Sequence, residues 1–89
     1  MKTKFQSVQT ANPGSGWATL PNVGCSEFTI KNDNSVDVDL RRVDDTENIH
    51  PLKSNTGLAG IRCANLNEYQ VRRTDSNNAQ VTLQIAYDA

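Results

Sequence analysis

Long apolar runs are missing from this chain, and so is an excess of charge of either sign. No stretch approaches the roughly 18 consecutive apolar residues that a membrane-spanning helix needs. The N-terminal MKTKFQSVQT is basic but has no apolar block behind it, so it is not expected to act as an export signal. Nine Lys and Arg stand against ten Asp and Glu, which removes the basic excess of a general nucleic-acid binder. Aromatic residues are few: Phe5, Trp17, Phe28, Tyr69 and Tyr87 are too dispersed to form a base-stacking platform.

The residues of reactive sites are equally scarce. His50 is the only histidine, and with Cys25 and Cys63 it falls short of the four ligands of a structural zinc site. The two cysteines have no motif spacing and, with no export signal, are expected as free thiols. No G-x-S-x-G, Gly-rich phosphate loop or H-E-x-x-H is present. A Cys63–His50 nucleophile and base has no support in the spacing. Asp33, Asp37, Asp39, Asp44, Asp45 and Glu47 crowd one region but lack the ligand spacing of a calcium loop. The expectation is a protein that is not an enzyme, with no cofactor and no metal.

What the chain does have is alternation. Its 89 residues allow one domain, stable by an amount on the order of 5–10 kcal/mol. Phe28 and Ile30 share one face of Cys25–Lys31. Val36, Val38 and Leu40 alternate with Asp37, Asp39 and Arg41 over Val36–Val43. Tyr69, Val71 and Arg73 alternate with Gln70 and Arg72, and Val81, Leu83, Ile85 and Tyr87 form the longest apolar stripe. A period of two is the signature of half-buried strands, and no segment carries a helical period. Ile49–Leu52 holds Pro51, which confines it to an edge or a bulge. Ile61–Ala64 reads as a further short strand. NDNS at Asn32–Ser35, Asp44–Asn48, KSNTGLAG at Lys53–Gly60, Asn65–Asn67 and Thr74–Asn78 read as turns or loops.

These elements predict an all-β fold, a small antiparallel sandwich or flattened barrel of six to seven strands. Its expected core is Phe28, Ile30, Val36, Val38, Leu40, Ile61, Val71, Val81, Leu83 and Ile85. Residues 25–89 form that body. Residues 1–24 read as an N-terminal arm or edge segment, because Phe5 and Val8 differ in parity and Ala11–Gly16 is a Pro/Gly connector. With Met1–Gly16 as the arm, deleting those residues is expected to leave the fold intact and to abolish assembly.

Glu68–Ala89 has the look of a β-hairpin: two alternating runs around a polar turn. An echo lies earlier, where VDLRRVDDTEN (Val38–Asn48) matches YQVRRTDSNNA (Tyr69–Ala79) at an offset of 31. Each copy is a strand ending in Arg-Arg before an Asp-containing turn. One Arg of each pair, Arg42 or Arg73, shares parity with the apolar face. The pairs Arg41-Arg42 and Arg72-Arg73 either bond turn carbonyls and a nearby Asp, or pair with acidic groups on a neighbouring subunit. Trp17 is either a core-rim residue or an interface anchor. With Phe5, Asp37 and Asp39 these make the set of interface candidates.

Taken in order, the features of Cys25–Ala89 are a strand ending in Thr29–Asn32, a strand ending in "RR" at Asp39–Arg42, and a Pro-containing strand at Ile49–Leu52. They continue with Gly60–Asn65 and the "VRRTD" run of Val71–Thr82. In this the chain resembles the small β-rich virion structural proteins of tailed bacteriophages. None of the shared features is a catalytic signature. The resemblance implies a capsid decoration or cement protein, or a small fibre or tail adaptor. It implies a homo-oligomer bound to the major capsid protein or other virion subunits, assembled in the host cytoplasm and found in the virion, with no nucleic-acid or membrane partner. A carbohydrate-binding module, with Trp17 as its stacking residue, and a host-protein-binding β module are the alternatives.

Overall fold

Alternation of this kind buries only one face per strand, so two sheets must cover each other. The computed structural model, which describes residues 3–11, 16–75 and 79–88, shows how they do so. The strands are β1 (Thr3–Gln9), β2 (Ala18–Thr19), β3 (Glu27–Asn32), β4 (Val38–Arg42), β5 (Asp45–Leu52), β6 (Thr56–Arg62), β7 (Tyr69–Arg73) and β8 (Thr82–Asp88). One 3-10 turn lies at Leu66–Glu68. Two antiparallel four-stranded sheets result, ordered β1-β8-β3-β6 and β2-β7-β4-β5.

The pairing is nested. β1 pairs with β8, β2 with β7, β3 with β6 and β4 with β5. A long hairpin rolled so that successive pairs fall in opposite sheets gives this order, which is the jelly-roll arrangement. The expected all-β sandwich is therefore present. Among the described residues there are eight strands rather than six or seven. The extra one is β2, whose two residues are too few to show alternation.

The core lies between the sheets. Phe28, Ile30, Val38, Leu40, Val71, Leu83 and Ile85 are buried as expected. Val36, Ile61 and Val81 are only half-buried, since Val36 and Val81 precede their strands and β6 is an edge. Val8, Leu20, Cys25, Leu52 and Leu66 complete the core. Val8 and Leu20 come from the segment read as an arm or edge; β1 and β2 each lie at one edge of their sheet. Residues 12–15, in the expected Ala11–Gly16 connector, and residues 76–78 of the expected Thr74–Asn78 turn lie outside the described residues.

Three expectations are corrected. β7 and β8 are not a hairpin: β7 pairs with β2 and β4, while β8 pairs with β1 and β3 in the other sheet. Their connection is longer than the two-residue turns that hold hairpin strands side by side. It lets the two apolar stripes face one another across the sandwich. Lys53–Gly60 is not one loop, because β6 starts at Thr56, and its glycines sit within an edge strand. Gly60 has φ +71°, a left-handed conformation that glycine adopts without strain. A side chain at Gly57 would approach the Ile30 carbonyl oxygen to 3.2 Å. The first polar turn is only Val43-Asp44, with β5 starting at Asp45.

Side chains close the sandwich ends. The Asn65 side chain accepts from the N–H groups of Asn67 and Val23 at 2.9 and 3.1 Å. The Glu68 carboxylate accepts from those of Ala64 and Asn65 at 2.7 and 2.8 Å. Between them they fix the turn that seats Leu66 in the core. At the end of β8, Asp88 accepts from the Ser26 hydroxyl at 2.7 Å and from the Ser26 and Glu27 N–H groups at 3.1 and 3.0 Å. The Ser26 hydroxyl, with those N–H groups, holds the Asp88 carboxyl below its ordinary value. The folded state therefore favours the ionised form. That stabilisation is present above the unfolded value near pH 4 and is lost as pH falls below it and through the lower folded-state value. Acid titrations of stability are expected to show a shallower loss below about pH 4 in Asp88→Asn than in the parent chain.

Candidate functional site: an arginine–tryptophan face

The repeated Arg-Arg strands are neighbours. β4 and β7 pair antiparallel, with Val38 opposite Arg73, Leu40 opposite Val71 and Arg42 opposite Tyr69. An offset of 31 exchanges the two strands, so a local pseudo-two-fold axis passes between Leu40 and Val71. This symmetry sorts the four arginines. Arg41 and Arg72 lie on the outer face of the sheet. Arg42 and Arg73 lie at opposite ends of the ladder with the inward parity.

The outer pair is joined by Trp17, just before β2. The Arg41 guanidinium lies 3.9 Å from the indole centroid and that of Arg72 lies 4.5 Å from it. Each such stack contributes about 0.5–2 kcal/mol, rising with desolvation. Arg72 Nε donates to Asp39 Oδ2 at 3.2 Å, and Arg41 Nε donates to Gln70 Oε1. Under the pseudo-symmetry Asp39 and Gln70 are equivalent positions. The Thr74 hydroxyl donates to the second Asp39 oxygen at 2.8 Å. Asp39 is only 7% exposed although its parity is outward, because Arg72 and Thr74 cover it. Arg41 Nη1 also donates to the Thr46 carbonyl at 3.3 Å.

The inner pair is structural. Arg73 forks Asp75 at 3.0 and 2.8 Å and donates to the Ala79 carbonyl at 2.9 Å. Arg42 repeats the pattern two residues on, meeting Asp44 at 3.0 and 3.5 Å, with Glu68 and the Tyr69 hydroxyl each at 3.5 Å. The Arg42 hydrogen bond holds the Asp44 carboxyl below its ordinary value. Asp37 serves the β5–β6 turn, accepting from the Ser54 N–H at 2.9 Å with Lys53 Nζ at 3.8 Å. Phe5 lies on the outer face of the other sheet and is 80% exposed.

Of the eight interface candidates the fold therefore gathers four, Trp17, Arg41, Arg72 and Asp39. It assigns internal partners to Arg42, Arg73 and Asp37, and places Phe5 elsewhere. Gln70 completes the patch and was not singled out from sequence. Its one signal was its place in the repeat, opposite Asp39 in the 31-residue offset.

A second concavity, of about 310 Å³, opens between the sheets where edge strands β5 and β6 part. Leu40, Leu58, Ile61 and Tyr69 form its apolar wall, with His50 and Asn48 at the polar rim. Asn48 is already spent on the Asp45 carboxylate at 2.9 and 3.1 Å. Among the described residues that line it there is no Ser, Thr or Cys, and the Cys63 sulfur meets Cys25. Among the described residues no group of three or more His, Cys, Asp or Glu is placed to hold a metal ion. No helix among them is long and apolar enough to cross a membrane. The sequence matches no protein-family model, and no curated protein or solved structure matches the chain.

Proposed function

We propose that this chain is a non-enzymatic virion structural protein, a capsid decoration or cement subunit of the tailed-phage type. In this reading it docks through the outer face of the β2-β7-β4-β5 sheet. The observation that carries the reading is the patch of Trp17, Arg41 and Arg72, two residue types that dominate binding hot spots, with both arginines on paired strands and stacked on the one indole. Both arginines keep N–H groups beyond their internal bonds, suited to bidentate pairing with carboxylates of a neighbouring subunit. The resemblance of residues 25–89 supports the virion setting. Jelly-roll sandwiches recur in viral shells, in lectins and in cupins, so the fold accommodates this reading without selecting it. Modest contacts of this kind gain strength when a symmetric shell repeats them. A sugar-stacking role for Trp17 is the weaker reading, because two guanidiniums already engage the indole.

Immunogold labelling of purified particles tests the setting. Label over heads is the expected result; label at one vertex or on the tail selects an adaptor or fibre role, and unlabelled particles discard the virion reading. The surface is tested by binding of the purified chain to undecorated heads. Arg41→Ala, which leaves the Asp39–Arg72 pair intact, is expected to weaken binding roughly 30-fold, with Asp37→Asn within a factor of two or so. Equal binding by both variants would move the interface away from this face.

A further inference from the structure

Two thiols meet at the edge of the β1-β8-β3-β6 sheet. The Cys25 and Cys63 sulfurs are 3.1 Å apart, closer than unbonded sulfurs rest at ease, and separated by 38 positions in the chain. The backbone around them is already clamped. Cys25 N–H donates to the Ala64 carbonyl at 3.3 Å and Cys63 N–H to the Ser26 carbonyl at 3.1 Å. Glu27 pairs with Arg62 on one side and Gly24 bridges Asn65 on the other. Closing the gap to a bond of about 2.05 Å asks the sulfurs to move by about 1 Å, a shift that side-chain rotation supplies.

We infer that Cys25 and Cys63 are a structural disulfide site, closed by exchange with a low-molecular-weight disulfide such as oxidised glutathione once the protein meets an oxidising environment. One cysteine thiolate attacks a sulfur of the small disulfide and expels one thiolate. The second cysteine then attacks the mixed disulfide and expels the other. Two protein thiols and one small disulfide become one protein disulfide and two small thiols, with the cysteine protons passing to the released thiolates.

The position gives the bond its effect. β6 is an edge strand that pairs with β3 in its sheet, and the closed loop encloses β3, β4, β5 and β6. A crosslink over such a separation removes much of the freedom of the unfolded chain. The surroundings make the site slow and not catalytic. Burial, the Cys25 sulfur and the Glu68 and Asp88 carboxylates push the Cys63 thiol up to about 12, so little thiolate exists at neutral pH. The inference stands on the sulfur geometry alone and is independent of the virion reading.

The test uses the full chain, reduced and then held with oxidised glutathione in mildly alkaline buffer. Intact mass is expected to fall by two hydrogen atoms, and peptide mapping to join Cys25 to Cys63. The thermal midpoint should rise by roughly 10 °C and return on reduction. Cys25→Ser and Cys63→Ser should each abolish the rise. Stable glutathione adducts, disulfide-linked dimers, or a closed bond with an unchanged midpoint would each overturn the inference.

Discussion

A chain that begins at Trp17, without β1, is expected to lose its cooperative fold. β1 pairs with β8 over its whole length, from Thr3 opposite Asp88 to Gln9 opposite Thr82. Its single core residue, Val8, is 7% exposed and contributes about 1.5–3 kcal/mol by burial. Thr10 closes the strand into the structure: its N–H donates to the Val81 carbonyl, its hydroxyl accepts from the Val81 N–H, and its carbonyl accepts from Gln80. Truncation strips the ladder from β8, the strand that carries Leu83 and Ile85 into the core. These losses together approach the whole stability of a domain this size, on the order of 5–10 kcal/mol. The bare β8 edge also becomes a template for aggregation. Urea unfolding followed by Trp17 fluorescence is the measurement, and no cooperative transition is the expected outcome. A transition at the parent midpoint would show instead that the segment is an arm added to a self-sufficient body.

This prediction reverses the one that the sequence suggests, and the reason is physical. Phe5 and Val8 differ in parity because one side faces solvent and the other the core, and a single buried valine leaves no periodic trace. Leu20, Leu52 and Leu66 were equally invisible for the same reason. Each lies in a short or proline-marked stretch with no run of alternation, and is buried in the closed sandwich. The long stripes behaved otherwise. Phe28 with Ile30, Val38 with Leu40, and Leu83 with Ile85 all face inward as alternation requires. What alternation does not encode is which strands are neighbours. The polar turn after Arg73 suggested a hairpin, but pairing was decided by partners far away in the chain.

The candidate site was partly legible for a related reason. The Arg-Arg repeat is visible in the sequence, and strand parity already separates Arg41 and Arg72 from Arg42 and Arg73. Only the antiparallel pairing of β4 with β7 turns a repeat along the chain into a two-fold patch in space. That pairing places Arg41 and Arg72 within reach of one indole, while the inward pair each turns back to an Asp two residues on. The reading in which an arginine bonds a nearby Asp holds for Arg42 and Arg73. Arg42 and Arg73 finish strand ends, and Arg41 and Arg72 face outward.

Asn32→Ala is expected to cost about 2–4 kcal/mol, a large share of the total for a single polar side chain. Asn32 is fully buried at the end of β3 and uses both sides of its amide. Its Nδ2 donates to the Val36 carbonyl at 2.8 Å and to the Leu52 carbonyl at 3.0 Å. Its Oδ1 accepts from the Asn34 N–H at 3.1 Å and the Asn34 amide at 2.9 Å, while Asn34 reaches on to the Thr82 carbonyl at 2.8 Å. One side chain thus ties β3, the turn that follows, the end of β5 and, through Asn34, the start of β8. Removing it strands a buried carbonyl at Leu52, and unsatisfied buried groups cost about 1–3 kcal/mol each. Asn32→Asp separates this account from simple loss of volume. The carboxylate keeps the acceptor side but sets negative oxygen against two carbonyls, so its pKa must rise in the folded state. That variant should be least stable at neutral pH and recover part of the loss as pH falls and the carboxyl protonates, whereas Asn32→Ala should show no such recovery relative to the parent chain. Urea midpoints of the three chains across the acid range decide it. Parallel curves for the two variants would mean that packing, and not the bifurcated amide, holds this corner.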